Sequence, residues 1–335
     1  MKKTALLALL FLTCVLNSFG QVIRGVVLDS GSGLPIDFAS VFFSGTFVGT
    51  TTDSEGHFEL DIGEYKSRPV TISAVGYYSR MLSEFDPDES LNVELKERVY
   101  ELEEAEVTTS SLVRKRKACM RIFKQEFIGL SSNARRCYIL NEQDIHFNYD
   151  SDKDTLRAYA SRPIKIQNLS LGYDITYHLD RFEYVRKTQK VTYTGNIVFD
   201  RDLLAEGDNS SNYERRRAYA YSGSTKHFFM VLWSNTLEGS GFHISDYKTE
   251  KSLYYEDLVY QDYEGRKYLA YKEDLQINYY DNISYISFVE YQMYFGADGY
   301  FDPIPIVWTG IMSKERIADS LPYEYSFTSK EFIGH

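Results

Sequence analysis

Residues 23–95 constrain this chain most strongly, because short apolar–polar alternations there are separated by glycine-centred turns. Arg24-Gly25-Val26-Val27-Leu28-Asp29 runs into Gly33-Leu34-Pro35, and Ala39-Ser40-Val41 runs into Gly49-Thr50-Thr51. Phe58 and Leu60 alternate after the turn Asp53-Ser54-Glu55-Gly56, and Gly76-Tyr77-Tyr78 closes a strand that begins near Val70. A period of two with turns at this density predicts a small antiparallel β-sandwich with strands near 22–28, 39–44, 50–51, 70–74 and 91–95. Asp53 is expected to bond forward to the backbone, while Gly56 and Gly76 accept turn conformations. A calcium loop needs several oxygen ligands at fixed spacing, and this turn lacks them.

Upstream, Met1-Lys2-Lys3 precedes an apolar run over residues 5–16 and the small-x-small pattern Ser18-Phe19-Gly20. This reads as a signal peptide over residues 1–20 with Gln21 as the first mature residue. The bulky Phe11-Leu12-Thr13 before Cys14 argues against a lipoprotein cleavage site. Removal of Lys2 and Lys3 takes the formal net charge from −11 to −13, which opposes nucleic-acid binding. No later run is long and apolar enough for a membrane-spanning helix, and the strand count is too small for a large outer-membrane barrel with a plug. The expected location is the periplasm or the outer-membrane surface. Peripheral association with the outer membrane is the only membrane contact expected.

The sandwich residues Gly25, Val27, Asp29, Gly33, Pro35, Ala39, Val41, Gly49, Thr50, Asp53, Gly56, Phe58, Gly76 and Tyr77 resemble the carboxypeptidase-regulatory-like domain. That resemblance implies a transthyretin-like sandwich. In metallocarboxypeptidases such a domain follows the catalytic domain, and in Gram-negative outer-membrane receptors it often precedes the plug. It predicts fold and says little of activity. Leu102-Glu103-Glu104-Ala105-Glu106-Val107 is similar to a segment that follows the sandwich in those receptors. Here it reads as part of an acidic connector.

Residues 112–130 predict a basic amphipathic helix, with Leu112, Cys119, Ile122, Phe123, Phe127 and Leu130 on one face. Beyond it, tyrosine-rich alternating runs near 138–140, 145–149, 155–160, 164–166, 173–179, 182–193, 196–199, 267–271, 275–280 and 285–295 predict a second, mainly antiparallel β domain. Residues 214–221 and 226–237 are expected as helical insertions. The chain is thus read as mainly β. Its parts are signal peptide 1–20, sandwich 21–96, connector and helix 97–130, and a β domain over 131–335. The second region resembles envelope proteins that join the same sandwich to a β-rich C-terminal part. The resemblance rests on Phe127-Ile128-Gly129, Cys137-Tyr138-Ile139-Leu140-Asn141, Leu171-Gly172-Tyr173 and Arg217-Ala218-Tyr219 through His227-Phe228. That family brings no assigned chemistry. Cys119 and Cys137, the two cysteines left after leader removal, suit either a disulfide or two separate buried thiols. The 29 tyrosines read as half-buried strand residues or as an aromatic platform for a glycan or peptide.

Catalytic patterns are scarce. His57, His146, His178, His227 and His243 all lack a glutamate three residues on, so neither zinc-carboxypeptidase nor His-Glu-x-x-His chemistry has ligands in sequence. Gly239-Ser240-Gly241 is no nucleophile elbow. Ser245-Asp246-Tyr247-Lys248 matches Ser-x-x-Lys without its companion motifs. No phosphate or dinucleotide loop is present, and no metal or cofactor is expected. Arg215 and Arg217 with Tyr219, Tyr221 and His227 are the candidate ligand-binding group, since guanidinium forks grip anions. The leading expectation is a non-catalytic secreted scaffold or binding module for a protein, peptide or glycan. The alternatives are a peptide- or glycan-acting hydrolase using carboxylates of the C-terminal region, and an accessory of an outer-membrane transporter.

Overall fold

Strand His57–Asp61 shows how the N-terminal unit is built: Phe58 and Leu60 are buried while His57, Glu59 and Asp61 face water. The structure is a computed structural model that describes residues 21–63, 65–66, 68–98, 109–150, 152–207 and 212–327, with only the backbone of 109–113. The expected signal peptide and most of the acidic connector lie outside the described residues. The N-terminal sandwich has strands β1 (Val22–Asp29), β2 (Ser40–Phe42), β3 (Gly49–Thr51), β4 (His57–Asp61), β5 (Val70–Ser73), β6 (Arg80–Leu82) and β7 (Leu91–Leu95). One sheet has the order β4-β1-β7 and the other β3-β2-β5-β6. Ile23, Val27, Val41, Ile72 and Val93 fill the space between them. One pairing departs from the antiparallel expectation, because β1 and β7 run parallel.

The following helix, α1, spans Thr109–Phe127. It stops short of the expected end because Gly129 has a positive φ of 109°, where the chain leaves the helical path. Arg316 then covers that end, its Nε donating to the Glu126 carbonyl at 2.8 Å, a favourable place for a cation. Leu130, expected on the apolar face, is 78 % exposed.

The middle sheet is built from β8 (Cys137–Ile139), β9 (Ile145–Asp150), β10 (Thr155–Ala160), β11 (Ile164–Asn168), β12 (Tyr173–Val185) and β13 (Lys190–Asp202). β12 pairs with β11 through its first half, with β10 through its second half, and with β13 along its length. Register shifts between Asp174/Ile175 and Leu179/Arg181 bend this long hairpin, as bulges do. The curved sheet packs on α1, where Phe123 meets Phe127, Phe147 and Phe182 at ring-centroid distances of 4.9, 6.0 and 4.8 Å.

The rest of the region read as one β domain has a core of its own around Phe228, Phe229, Leu232, Ile277, Ile286 and Phe295. Helices α2 (Tyr213–Tyr221) and α3 (Thr225–Ser234) precede β14 (Phe242–Asp246), β15 (Ser252–Leu253), β16 (Val259–Gln261), β17 (Lys267–Leu269), β18 (Leu275–Tyr279), β19 (Asn282–Phe288), β20 (Met293–Phe295) and β21 (Ile306–Gly310). They form the sheets β15-β14-β18-β19-β21 and β16-β17-β20.

Long-range contacts lock the three units together. Gly45 N–H donates to the Ile197 carbonyl at 2.7 Å, Phe199 N–H to Thr46 at 3.0 Å, and Tyr323 N–H to Gly45 at 2.8 Å. Gly45 has φ of 82°, and a Cβ there would sit 2.4 Å from the Tyr323 ring, so only glycine suits both constraints. The C-terminal segment also buries Ile317 and Ala318 in the α1 core, with Ala318 N–H on the Ile128 carbonyl at 3.1 Å. Among the described residues, no helix is long and apolar enough to cross a membrane.

Candidate functional site

Side chains two residues apart on a helix point about 200° apart, and α2 divides the predicted ligand group accordingly. Arg217 and Tyr221 turn inward, whereas Arg215 and Tyr219 turn out. The Arg217 guanidinium is only 4 % exposed. It donates to the Leu171 carbonyl at 2.7 Å, to the Gly172 carbonyl at 3.2 Å, and to both Asp202 oxygens at 3.0 and 2.7 Å. Its carbon lies 3.9 Å from the centre of the Tyr173 ring. All of this fork is engaged by protein, so Arg217 is a structural clamp between α2 and the β11–β12 turn.

Tyr221 and His227 are structural as well. Tyr221 is buried and its ring lies 4.6 Å from that of His227. His227 Nδ1 accepts from Gly223 N–H at 3.1 Å, and burial pushes its pKa down to about 4, so the imidazole stays neutral. Its ring also packs on Phe242 and Tyr279.

The outward half of α2 faces a cavity of about 450 Å³ lined by Ser132, Asn133, Arg136, Ser170, Arg215, Arg216 and Tyr219. Among the described residues, three guanidinium groups and no carboxylate stand in that lining. Nη1 of Arg216 is buried and has no hydrogen-bond partner among the described residues. The floor is fixed: Ser170 Oγ donates to Asn133 Oδ1 at 2.6 Å, and Asn133 Nδ2 donates to Asp319 at 2.9 Å. Of the predicted group, Arg215 and Tyr219 reach this cleft and the other three do not. Ser132, Asn133, Arg136 and Ser170 lie outside the predicted ligand group, and Arg216 enters as the middle of the run Arg215-Arg216-Arg217. The dipeptide Arg135-Arg136 beside the Cys137 landmark is the one sequence signal for Arg136.

The bridge weighed between Cys119 and Cys137 is not formed, and both are free thiols. They look to different neighbourhoods, Cys119 toward Arg186 and Arg116, and Cys137 toward Asp319. Burial pushes the Cys137 thiol up to about 12, which leaves it unreactive.

Two further groupings have the form of sites. Ser73 Oγ lies 3.0 Å from His178 Nδ1, but both residues are buried beside a cavity of about 30 Å³, room for a water and no substrate. Tyr260, Tyr268 and Tyr294 stand in register across β16, β17 and β20. The first two rings stack on each other at 5.1 Å, which occupies faces that a flat sugar platform would present.

A cavity of about 160 Å³ at the junction of the units is lined by Lys226 and Glu315, among others. Lys226 Nζ donates to the Pro322 and Tyr323 carbonyls at 2.9 and 2.8 Å, and burial pushes its pKa down to about 7. Glu315 accepts from Thr225 N–H and Oγ at 2.8 and 2.9 Å, while desolvation pushes its pKa up to about 7. Between pH 7 and 10.5 the unfolded chain holds more protons at Lys226, so that term gains stability as pH rises. Between pH 4.5 and 7 the folded chain holds more at Glu315, so that term loses stability as pH rises. In urea titrations, Glu315→Gln should gain on the parent from pH 4.5 to 7, and Lys226→Met should lose on it from pH 7 to 10.5. Parallel pH profiles for parent and variants would refute both assignments.

Residues 23–107 match the family model of the CarboxypepD_reg-like domain. The N-terminal unit is a carboxypeptidase-regulatory-like domain. No curated protein matches the chain. Within the regulatory-like domain, Asp53 Oδ1 accepts from the backbone N–H of Glu55 and His57, each at 2.9 Å. Gly56 has φ of 76°, and a Cβ on it would lie 2.6 Å from the Val27 carbonyl. Gly76 also has a positive φ, of 86°, with open space around it. The domain meets the rest of the chain through Thr46, Ser73 and Arg98.

Proposed function

We propose that this chain is a secreted, non-catalytic binding protein of the Gram-negative cell envelope, and that the α2 cleft holds an anionic group of a peptide or glycan. The observation that carries this reading is the arginine cleft, with a buried Arg216 Nη1 that has no partner among the described residues. A guanidinium nitrogen removed from water without a partner is costly, and a carboxylate or phosphate oxygen satisfies it through a charge-assisted bond. The leader pattern supports export, and the regulatory-like domain supports a scaffolding role.

Calorimetric titration of the chain starting at Gln21 tests it. The probes are a short peptide with a free C-terminal carboxylate and a uronic-acid oligosaccharide, each against its amidated or neutral counterpart. At least one acidic probe should bind, and Arg215→Ala with Arg216→Ala should weaken it about tenfold or more. If acidic and neutral probes behave alike, the reading fails.

A further inference from the structure

A second concavity, of about 390 Å³, lies between the C-terminal half of α1 and strand β8. It sits across the 3-10 turn Asn133–Arg136 from the arginine cleft: Ala134 and Cys137 face this groove, and Asn133 and Arg136 face the cleft. Its floor is apolar, formed by Met120, Ile128 and Ile139, which are 8, 4 and 7 % exposed. Its wall carries Lys117, Arg121 and Lys124. Lys124 pairs with Glu142 at 2.5 Å. Lys117 and Arg121 are exposed and form no ion pair among the described residues. This wall is basic on a chain of net charge −11.

The strand bordering the groove is a sheet edge, since β8 pairs with β11 alone. Leu169 N–H bonds to the Arg136 carbonyl and Leu140 N–H to the Lys165 carbonyl. In an antiparallel ladder, bonded residues alternate with unbonded ones. Positions 136, 138 and 140 therefore face β11, and the backbone of Cys137 and Ile139 points to the open side. Cys137 N–H turns back to the Ala134 carbonyl. The Cys137 carbonyl and both backbone groups of Ile139 are left at the edge.

We infer that this groove takes an extended acidic peptide of a partner protein, added as a strand to β8. The free edge supplies main-chain bonds and selects an extended backbone. Met120, Ile128 and Ile139 receive the apolar side chains that point toward α1. Lys117, Arg121 and Lys124 stand on the same helix face at the mouth of the groove, where they meet acids that flank the apolar stretch, an attraction that salt weakens. The exposed Leu130, Tyr138 and Leu140, at 78, 49 and 60 %, extend the apolar border where such a strand emerges.

The test is fluorescence anisotropy on the chain starting at Gln21, with a labelled peptide of central valines flanked by glutamates and the same peptide flanked by lysines as control. The acidic peptide should bind saturably and the basic one should not. The double variant Lys117→Glu/Arg121→Glu, at exposed positions that leave the fold intact, should weaken binding about tenfold or more. N-methylating alternate peptide nitrogens should abolish binding in one phase and spare it in the other, because an added strand uses every second N–H. Equal binding of both peptides, indifference to the double variant, or tolerance of both methylation phases would overturn the proposal. Two other occupants are separable. If replacing Glu101, Glu103, Glu104 and Glu106 by glutamine tightens peptide binding about tenfold, the chain fills its own groove and the partner is excluded. If light scattering shows a dimer that Lys117→Glu/Arg121→Glu dissolves, a second copy is the occupant and the proposal falls.

Discussion

Arg217→Ala is expected to lower the unfolding free energy by about 3–5 kcal/mol, the cost of breaking a buried ion pair from one side. The substitution leaves both Asp202 oxygens without the guanidinium, at former distances of 3.0 and 2.7 Å. The Leu171 and Gly172 carbonyls lose their donor as well. Each buried acceptor left unmet adds to the loss, and the Tyr173 ring loses the cation above it. Arg215→Ala, two residues away on the exposed side, should stay within about 0.5 kcal/mol of the parent. Urea denaturation followed by circular dichroism measures both. If the two variants lose equal stability, the division of α2 into clamp and cleft is wrong.

Removing residues 315–335 is expected to cost on the order of 5 kcal/mol or more and to split one unfolding transition into several. Ile317, at 4 % exposure, contributes about 1.5–3 kcal/mol by burial. Tyr323, partly buried, packs against Gly45, Arg68 and Lys226 at once, so its loss adds about 1.5–3 kcal/mol. Asp319 no longer ties Ser131 and Asn133, which it holds at 2.8 and 2.9 Å. Lys226 keeps its desolvation penalty while losing the Pro322 and Tyr323 carbonyls. Hydrogen exchange by peptide would show the sandwich, the α1 sheet and the α3 core opening at separate denaturant concentrations. A single cooperative transition near the parent midpoint would refute the account.

How much of this was legible in sequence depends on whether local pattern decides the structure. The regulatory-like sandwich was readable because Phe58 and Leu60 alternate cleanly against His57, Glu59 and Asp61. Strand β6, Arg80–Leu82, carries no such alternation and escaped notice. The α1 period placed Phe123 and Phe127 correctly in the core, but it extended the face to Leu130 because a left-handed Gly129 has no periodic signature. The 13-residue strand β12 was divided at residues 179–182, where a bulge shifts the inward phase and Phe182 returns to the core. Reading residues 285–295 as one run missed the break between β19 and β20, since aromatic residues continue through it.

The cleft was half legible for a similar reason. Helical geometry alone says that Arg215 and Arg217 cannot share a face, yet it does not say which of them is inside. The Gly172 turn decides that, because its carbonyl and that of Leu171 need a donor. Arg136 and Ser170 arrive from distant parts of the chain, and only the packing of the 3-10 turn Asn133–Arg136 against α2 brings them to Arg215. The C-terminal segment carries no alternation of its own, yet it bridges three cores through contacts with residues as remote as Gly45.

That last feature bears on timing. Any process that presents this chain from its N-terminus, whether synthesis or passage through a pore, delivers Tyr323 near the end. Until then Lys226 lacks the carbonyls of Pro322 and Tyr323, Asn168 lacks that of Ala318, and the Gly45 carbonyl lacks its donor. The earlier units can each close their own core, but the joints between them are completed only when this segment arrives. A nascent chain cut before residue 315 should therefore be cleaved by protease at the joints between its units sooner than the full chain is.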